Sequence, residues 1–114
     1  MKQKRARKPE LIIVWEFRIP PGKRREFEKA YGPDGDWARF FRTGKGYIRT
    51  ELLRDRRMPH RYLTLDFWKS RTDYERFKEE NRAAYQAIDK KCASLTEKEV
   101  KIGQFTPRRR LGAR

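Results

Sequence analysis

The sequence predicts an α+β fold in which a four-stranded antiparallel sheet carries helices on one face. Three observations lead to this prediction: a long first strand at residues 11–19, a hairpin formed by residues 47–54 and 61–68, and helical patterns on both sides of that hairpin. The resulting order of elements is β, α, α, β, β, α, β. That order, with its central hairpin, is the split βαβ arrangement of a ferredoxin-like sandwich.

The first strand is predicted from a nine-residue run rich in β-branched and aromatic residues. Its apolar face contains Leu11, Ile13, Trp15, Phe17 and Ile19. Two prolines and a glycine at residues 20–22 end the strand, because proline cannot donate to the sheet ladder. A helix follows.

The apolar positions of this first helix are Phe27, Ala30 and Tyr31. Turn-forming residues at 32–36 end it and supply Asp36 as a candidate N-cap for a second helix. The second helix carries Trp37, Phe40 and Phe41 at helical spacing. Aromatic residues at this spacing are typical of a core, and the alternative is that Trp37 or Phe41 lines a pocket.

Residues 61–68 read RYLTLDFW and alternate between two faces, as in a strand. Tyr62, Thr64, Asp66 and Trp68 share one of these faces. Trp68 is either core packing at a strand-to-helix joint or part of a binding site. Asp66 is either a general base or the partner of a neighbouring arginine in a salt bridge.

A helix is expected to begin directly after this strand, because Ser70 and Asp73 have the spacing of a capping box. Residues 79–81 are expected to divide the following helical segment into two helices, and Thr96 begins a segment that forms the last strand, to about Phe105. The predicted helical stripe contains Tyr74, Phe77, Ala84, Tyr85, Ile88, Cys92 and Leu95.

The sheet face away from the helices is predicted to hold Ile12, Val14, Glu16 and Arg18. Glu16 and Arg18 are interpreted as members of a structural ion-pair network. Because a half-apolar sheet face left open to water favours association, we predict a homodimer formed through this face.

Composition excludes several classes of protein. The single cysteine, Cys92, rules out an intramolecular disulfide framework and a cysteine-based metal site. The longest apolar run, residues 11–15, is too short to cross a membrane or to form a signal peptide. We therefore expect a cytoplasmic protein without membrane association.

The net charge of +15 is concentrated at the two ends of the chain. Residues 1–9 carry +5 and residues 107–114 carry +4, which leaves +6 on residues 10–106. The sequence therefore predicts a disordered basic arm at 1–9, one folded domain at 10–106 and a disordered basic tail at 107–114. Such arms bind nucleic acid without sequence preference, and only this nonspecific kind of binding is expected.

Several of these features together resemble the antibiotic biosynthesis monooxygenase family. They are the turn IPPGK at residues 19–23, the pair Gly46 and Tyr47 before a strand, the strand end FWKS at residues 67–70, and Tyr74 and Phe77 on the next helix. The resemblance covers roughly residues 10–105. It implies a dimeric α/β barrel of ferredoxin-like subunits.

The resemblance also implies site residues. Cofactor-independent oxygenases of this family that act on polycyclic phenols use a strand tryptophan, an asparagine four positions earlier, a tyrosine on the following helix and an arginine. Trp68 and Tyr74 match, Thr64 stands at the asparagine position, and Arg82 is a candidate for the arginine. Asp66 completes the candidate catalytic set.

Three aromatic residues, Trp37, Phe41 and Phe77, are candidates for binding a substrate together with Arg82. No metal, flavin or other cofactor is expected for chemistry of this kind. Haem-degrading members of the family use a histidine on the helix after the third strand, and this helix has none. The lone histidine, His60, lies in the predicted hairpin turn.

The resemblance thus implies a cofactor-independent monooxygenase-like protein that acts on or binds a small planar molecule of the polycyclic phenol or quinone type. The alternatives are a non-catalytic binding module that uses the same pocket and a nucleic-acid-binding accessory protein that acts through its arms.

Overall fold

The computed structural model describes residues 8–108, so most of both predicted basic arms lies outside the described residues. Four strands and four helices follow one another, with a short 3-10 turn before the last strand. In chain order they are β1 (Leu11–Arg18), α1 (Arg24–Tyr31), α2 (Asp36–Phe41), β2 (Tyr47–Arg54), β3 (Arg61–Trp68), α3 (Arg71–Glu80), α4 (Arg82–Lys91), the 3-10 turn Ala93–Leu95, and β4 (Lys98–Phe105).

The four strands form one antiparallel sheet in the order β2-β3-β1-β4. Alternate residues of β1 and β3 join the buried residues of α1, α2 and α3 in a single core cluster, so the helices cover one face of the sheet. This arrangement confirms the predicted ferredoxin-like fold. None of the described helices covers the other sheet face.

Both edge strands contain a β-bulge. In β2 the pairing with β3 shifts between Tyr47 and Arg49. In β4 the extra residue is Ile102, which lies opposite Val14 and Trp15 of β1. A bulge places one extra residue in a strand and thereby reverses which residues face each side beyond it. The two bulges therefore decide which side chains of the edge strands point towards the helices.

Trp68 lies at the centre of the aromatic core. It is fully buried and packs against rings from three other elements, with centroid distances of 5.4–5.8 Å. These rings are Phe41 of α2, Tyr47 of β2, and Tyr74 and Phe77 of α3. The end of β3 is thus the point at which the sheet and two helices are joined.

Most predicted boundaries agree with the structure to within two residues, and two details of the helices were wrong. Asp36 is not an N-cap: Gly35 occupies that position, and the Asp36 carboxylate instead pairs with Lys91 at 2.9 Å. Ala84 is exposed and not part of a buried stripe. No residue of α4 is fully buried; Tyr85 and Ile88 pack against the core only in part.

The capping interaction at the start of α3 has the predicted form, since the Ser70 hydroxyl accepts a hydrogen bond from the backbone N–H of Asp73 at 3.0 Å. Replacing Ser70 with alanine leaves this N–H without its partner. We expect S70A to lower the free energy of unfolding by about 1 kcal/mol in urea titrations followed by circular dichroism. The control is S94A, at an exposed serine of the 3-10 turn. Equal stability of S70A and S94A would contradict this role of Ser70.

Candidate functional site

A cavity of about 100 Å³ lies between the sheet and the helices. Its walls are mostly aromatic, and its polar groups come from the strands β2, β3 and β4 and from α4. The lining residues are Trp15, Phe17, Tyr31, Trp37, Phe41, Thr50, Thr64, Asp66, Tyr85, Asp89 and Glu99.

Four of the eight candidate site residues line this cavity: Trp37, Phe41, Thr64 and Asp66. Thr64 and Asp66 are neighbours on the helix-facing side of β3, as the alternation of that strand predicted. They are 5% and 9% exposed, which makes them unusual among the otherwise apolar residues of the core.

Asp66 ends a chain of buried hydrogen bonds. The Thr50 hydroxyl donates to Asp66 Oδ1 at 2.6 Å, and the Tyr47 hydroxyl lies 2.7 Å from Thr50 Oγ1. A threonine hydroxyl has one hydrogen to donate, so when Asp66 is ionised Tyr47 must donate to Thr50. The chain therefore orients two hydroxyl groups towards the Asp66 carboxylate.

Burial is the main cause of the altered pKa of Asp66. Desolvation raises its pKa to about 6, and the hydrogen bond from Thr50 only partly opposes this effect. No arginine or lysine forms an ion pair with Asp66 within residues 8–108, so the alternative of a salt bridge was wrong. A carboxyl group with a pKa near 6 is ionised at neutral pH and is a stronger base than an ordinary aspartate.

Trp68 and Phe77 do not line the cavity. Trp68 lies behind its wall, in T-shaped contact with Phe41, and its indole nitrogen is buried without a hydrogen-bond partner among residues 8–108. Phe77 packs beside it. The indole nitrogen of Trp37 is also buried and makes no hydrogen bond of good geometry within residues 8–108. The Trp37 ring, in contrast to that of Trp68, borders the cavity.

Tyr74 and Arg82 line a second space, an open groove of about 580 Å³ bordered by α3, α4 and β4. Tyr85 lines both the groove and the cavity. The Tyr85 ring is therefore part of the wall that separates the two spaces.

Sequence reasoning missed Thr50, Tyr47 and Tyr85 as site residues. Tyr47 and Thr50 are three positions apart, so strict alternation places them on opposite faces of a strand; the bulge in β2 brings them to the same face. Tyr85 was identified only as a position in a helical stripe. No sequence pattern showed that its ring would border a cavity.

Residues 8–108 contain no group of three or more histidine, cysteine, aspartate or glutamate side chains arranged to hold a metal ion. His60 is exposed in the turn between β2 and β3, in agreement with the predicted hairpin. None of the described helices has the length and apolar character needed to cross a membrane.

The raised pKa of Asp66 predicts how stability depends on pH. Between about pH 4 and 6 the native state binds more protons at this site than the unfolded state, so ionisation destabilises the wild type as the pH rises. Asp66→Asn removes the titration. We expect the stability of D66N relative to wild type to rise by up to about 3 kcal/mol between pH 4 and 7 and to level off above that range.

Urea unfolding measured at several pH values tests this expectation. The control is Glu80→Gln, which neutralises an exposed carboxyl group at the end of α3. If the difference in the free energy of unfolding between D66N and wild type were independent of pH, Asp66 would not have a raised pKa.

Comparison with known proteins assigns the chain to a family. A family model described as antibiotic biosynthesis monooxygenase matches residues 11–91. No functionally curated protein sequence matches the chain.

Solved structures share the fold. SnoaB, a cofactor-independent oxygenase from Streptomyces nogalater, is 23% identical with a TM-score of 0.70, over 92% of this chain and 99% of that one. PA3566 from Pseudomonas aeruginosa is 15% identical with a TM-score of 0.64, over 92% and 100% of the two chains. A conserved protein from Methanosarcina mazei Go1 is 14% identical with a TM-score of 0.65, over 88% and 94%. With the family model matching most of its length, the chain belongs to the antibiotic biosynthesis monooxygenase family.

Proposed function

We propose that this protein is a cofactor-independent oxygenase of small planar phenols, with its reaction centre in the cavity beside Asp66. The observation that carries the proposal is the Asp66 carboxyl group, which is buried, has a pKa of about 6 and lies among aromatic walls. A phenol ring matches such walls by stacking, and its hydroxyl proton matches a carboxylate base. The similarity in fold to SnoaB supports the same class of chemistry.

In this proposal Asp66 removes the hydroxyl proton of the substrate, and the resulting electron-rich anion reduces dioxygen directly. Dioxygen forms a bond to a ring carbon that carries hydrogen, the O–O bond then breaks, and that carbon becomes a carbonyl. The other oxygen atom leaves as water with the hydrogen of this ring carbon and the hydroxyl hydrogen, so the phenol becomes a quinone. The electrons balance without an external reductant. The Thr64 hydroxyl is the group available to donate a hydrogen bond to the anion.

Trp68 supports the cavity wall through its contact with Phe41 and does not touch the substrate. Tyr74 contacts the substrate only from the groove. Among the candidate catalytic residues, direct roles are therefore assigned to Asp66 and Thr64.

The size of the cavity limits what binds. About 100 Å³ is less than the roughly 150 Å³ of an engineered cavity known to take benzene. A planar ring therefore enters only if Tyr85 moves outwards and joins the cavity to the groove. Movement of α4 is the easiest way to achieve this, because no α4 residue is fully buried.

Oxygen uptake with a panel of polycyclic phenols tests the proposal. We expect the wild type to consume oxygen with at least one compound that also raises its melting temperature. Asp66→Asn keeps the shape of the site and removes the base, so we expect uptake to fall about 100-fold or more while the thermal shift persists.

Glu80→Gln is the matched control, because it removes an exposed carboxyl group away from the cavity. Normal oxygen uptake by D66N would exclude Asp66 as the base. Thermal stabilisation of the wild type without any oxygen uptake would instead support the non-catalytic binding module.

We propose further that two copies of the chain associate through the open sheet face. One end of this face is apolar and includes Ile12, Val14 and Leu65, together with Phe105, which is 48% exposed. Phe67 lies on the same face but is already buried, with the Arg49 guanidinium 3.9 Å from the centroid of its ring. The other end carries Glu16, which pairs with Arg61 at 2.6 Å and with Arg18 at 3.6 Å. Burying the apolar end against a second copy removes it from water and leaves the charged end at the rim.

A charge placed on the apolar end tests this association. We expect Val14→Lys to convert a dimer into a monomer, because an unpaired ammonium group cannot be buried at low cost. Light scattering after size-exclusion chromatography measures the mass. Gln86→Lys, on the outer side of α4, adds the same charge elsewhere and is expected to remain dimeric. A monomeric wild type would contradict the proposal.

A further inference from the structure

The groove outside Tyr85 has an unusual combination of walls. Two tyrosine rings, those of Tyr74 and Tyr85, meet two lysine side chains, Lys78 from α3 and Lys101 from β4. Lys101 faces the groove together with Gln104, three positions later, because of the bulge in β4. The groove thus brings together cationic and aromatic groups from three different elements.

Lys78 is held against the rings. Its Nζ lies 5.3 Å from the centroid of the Tyr74 ring and 5.5 Å from that of Tyr85. At these distances an ammonium group is attracted to the faces of both rings. The charge of Lys78 is therefore placed directly at the ring that separates the groove from the cavity.

The acidic groups of the groove do not neutralise these lysines. Glu75 is paired with Arg71 at 2.9 Å, and Glu79 is paired with Arg82 at 3.5 Å. Within residues 8–108 neither Lys78 nor Lys101 has a carboxylate at ion-pair distance. Glu75 still attracts the charge of Lys101, but three basic side chains of the lining, Lys78, Arg82 and Lys101, outnumber its two carboxylates, so the groove has a net positive charge.

The two ammonium groups also disfavour each other. Partial burial lowers the pKa of Lys101 and the nearby charge of Lys78 lowers it further, while Glu75 opposes these effects in part. An anion bound between two like charges relieves this repulsion and is attracted by both.

We propose that the groove is an anion subsite and that the ligands of this protein are aromatic compounds carrying a carboxylate or sulfonate group. The anion lies between Lys78 and Lys101, and the ring of the same molecule passes Tyr85 into the cavity. This inference rests on the proposed function of the cavity. It adds the charge of the ligand and the residues that select for it.

Calorimetric titration with two naphthalene probes in phosphate-free buffer tests the inference. 2-Naphthoate carries the anion, and 2-naphthol has the same ring system and is neutral at pH 7.5. We expect the wild type to bind 2-naphthoate about tenfold more tightly, as two partly exposed charge contacts allow. This preference should shrink as the salt concentration rises, because surface charges are screened.

The double variant Lys78→Met, Lys101→Met is expected to lose the preference for 2-naphthoate and to bind 2-naphthol as the wild type does. The matched control, Lys90→Met with Lys98→Met, removes two charges from α4 and β4 away from the groove and should keep the preference. A loss of the same size in the control would overturn the subsite, since net charge alone would then explain the effect.

The remaining outcomes separate this inference from the proposed function. Equal affinities of the wild type for the two probes would overturn the anion subsite and leave the cavity proposal standing. Absence of binding by both probes would overturn the proposed binding of planar aromatic rings and the subsite with it.

Discussion

The packing of Trp68 at the end of β3 is the constraint on which the rest of the structure depends. In one fully buried position it contacts rings of α2, β2 and α3, and therefore sets the distance between the sheet and the helices. Its indole nitrogen has no partner within the described chain, so the residue contributes through shape and apolar contact and not through a hydrogen bond. Of the two helices that pack on Trp68, only α2 also lines the cavity, where it meets α1 and α4 without filling the space above Thr64 and Asp66.

Asp66 places a polar group where the fold would be more stable with an apolar one. Its ionisation at neutral pH costs stability, and the chain from Tyr47 through Thr50 recovers only part of that cost. A buried carboxyl group with a pKa near 6 is of little use for folding and is well suited to accepting a proton. This contrast is the physical basis for assigning the reaction centre to Asp66 and not to Trp68.

Among the four described helices, α4 alone has no fully buried residue. It meets the core through the partly buried Tyr85 and Ile88. Its Tyr85 separates the small aromatic cavity from the large groove that carries Lys78 and Lys101. The least strongly packed helix therefore lies where a ligand would have to enter, between the proposed anion subsite and an aromatic interior.

The sequence by itself was sufficient to predict the order of elements, the central hairpin and the start of α3. These features depend on local properties: the period of two in residues 61–68 puts Thr64, Asp66 and Trp68 on one face, and Ser70 satisfies a backbone N–H three residues away. The resemblance to the family is carried by equally local motifs, such as the strand end at residues 67–70. Sheet order and helix coverage follow from the split βαβ arrangement that this order of elements implies.

Only the tertiary structure decided which of the candidate residues meet in one site. Bulges in β2 and β4 turn Tyr47 and Thr50, and Lys101 and Gln104, towards the helices, and a bulge depends on pairing with a neighbouring strand and not on the period of its own sequence. The cavity likewise depends on how side-chain volumes from several elements fail to fill the space above Asp66. Alternation and helical spacing describe one element at a time, so they could identify Asp66 and Tyr85 separately but could not show that both border the same space.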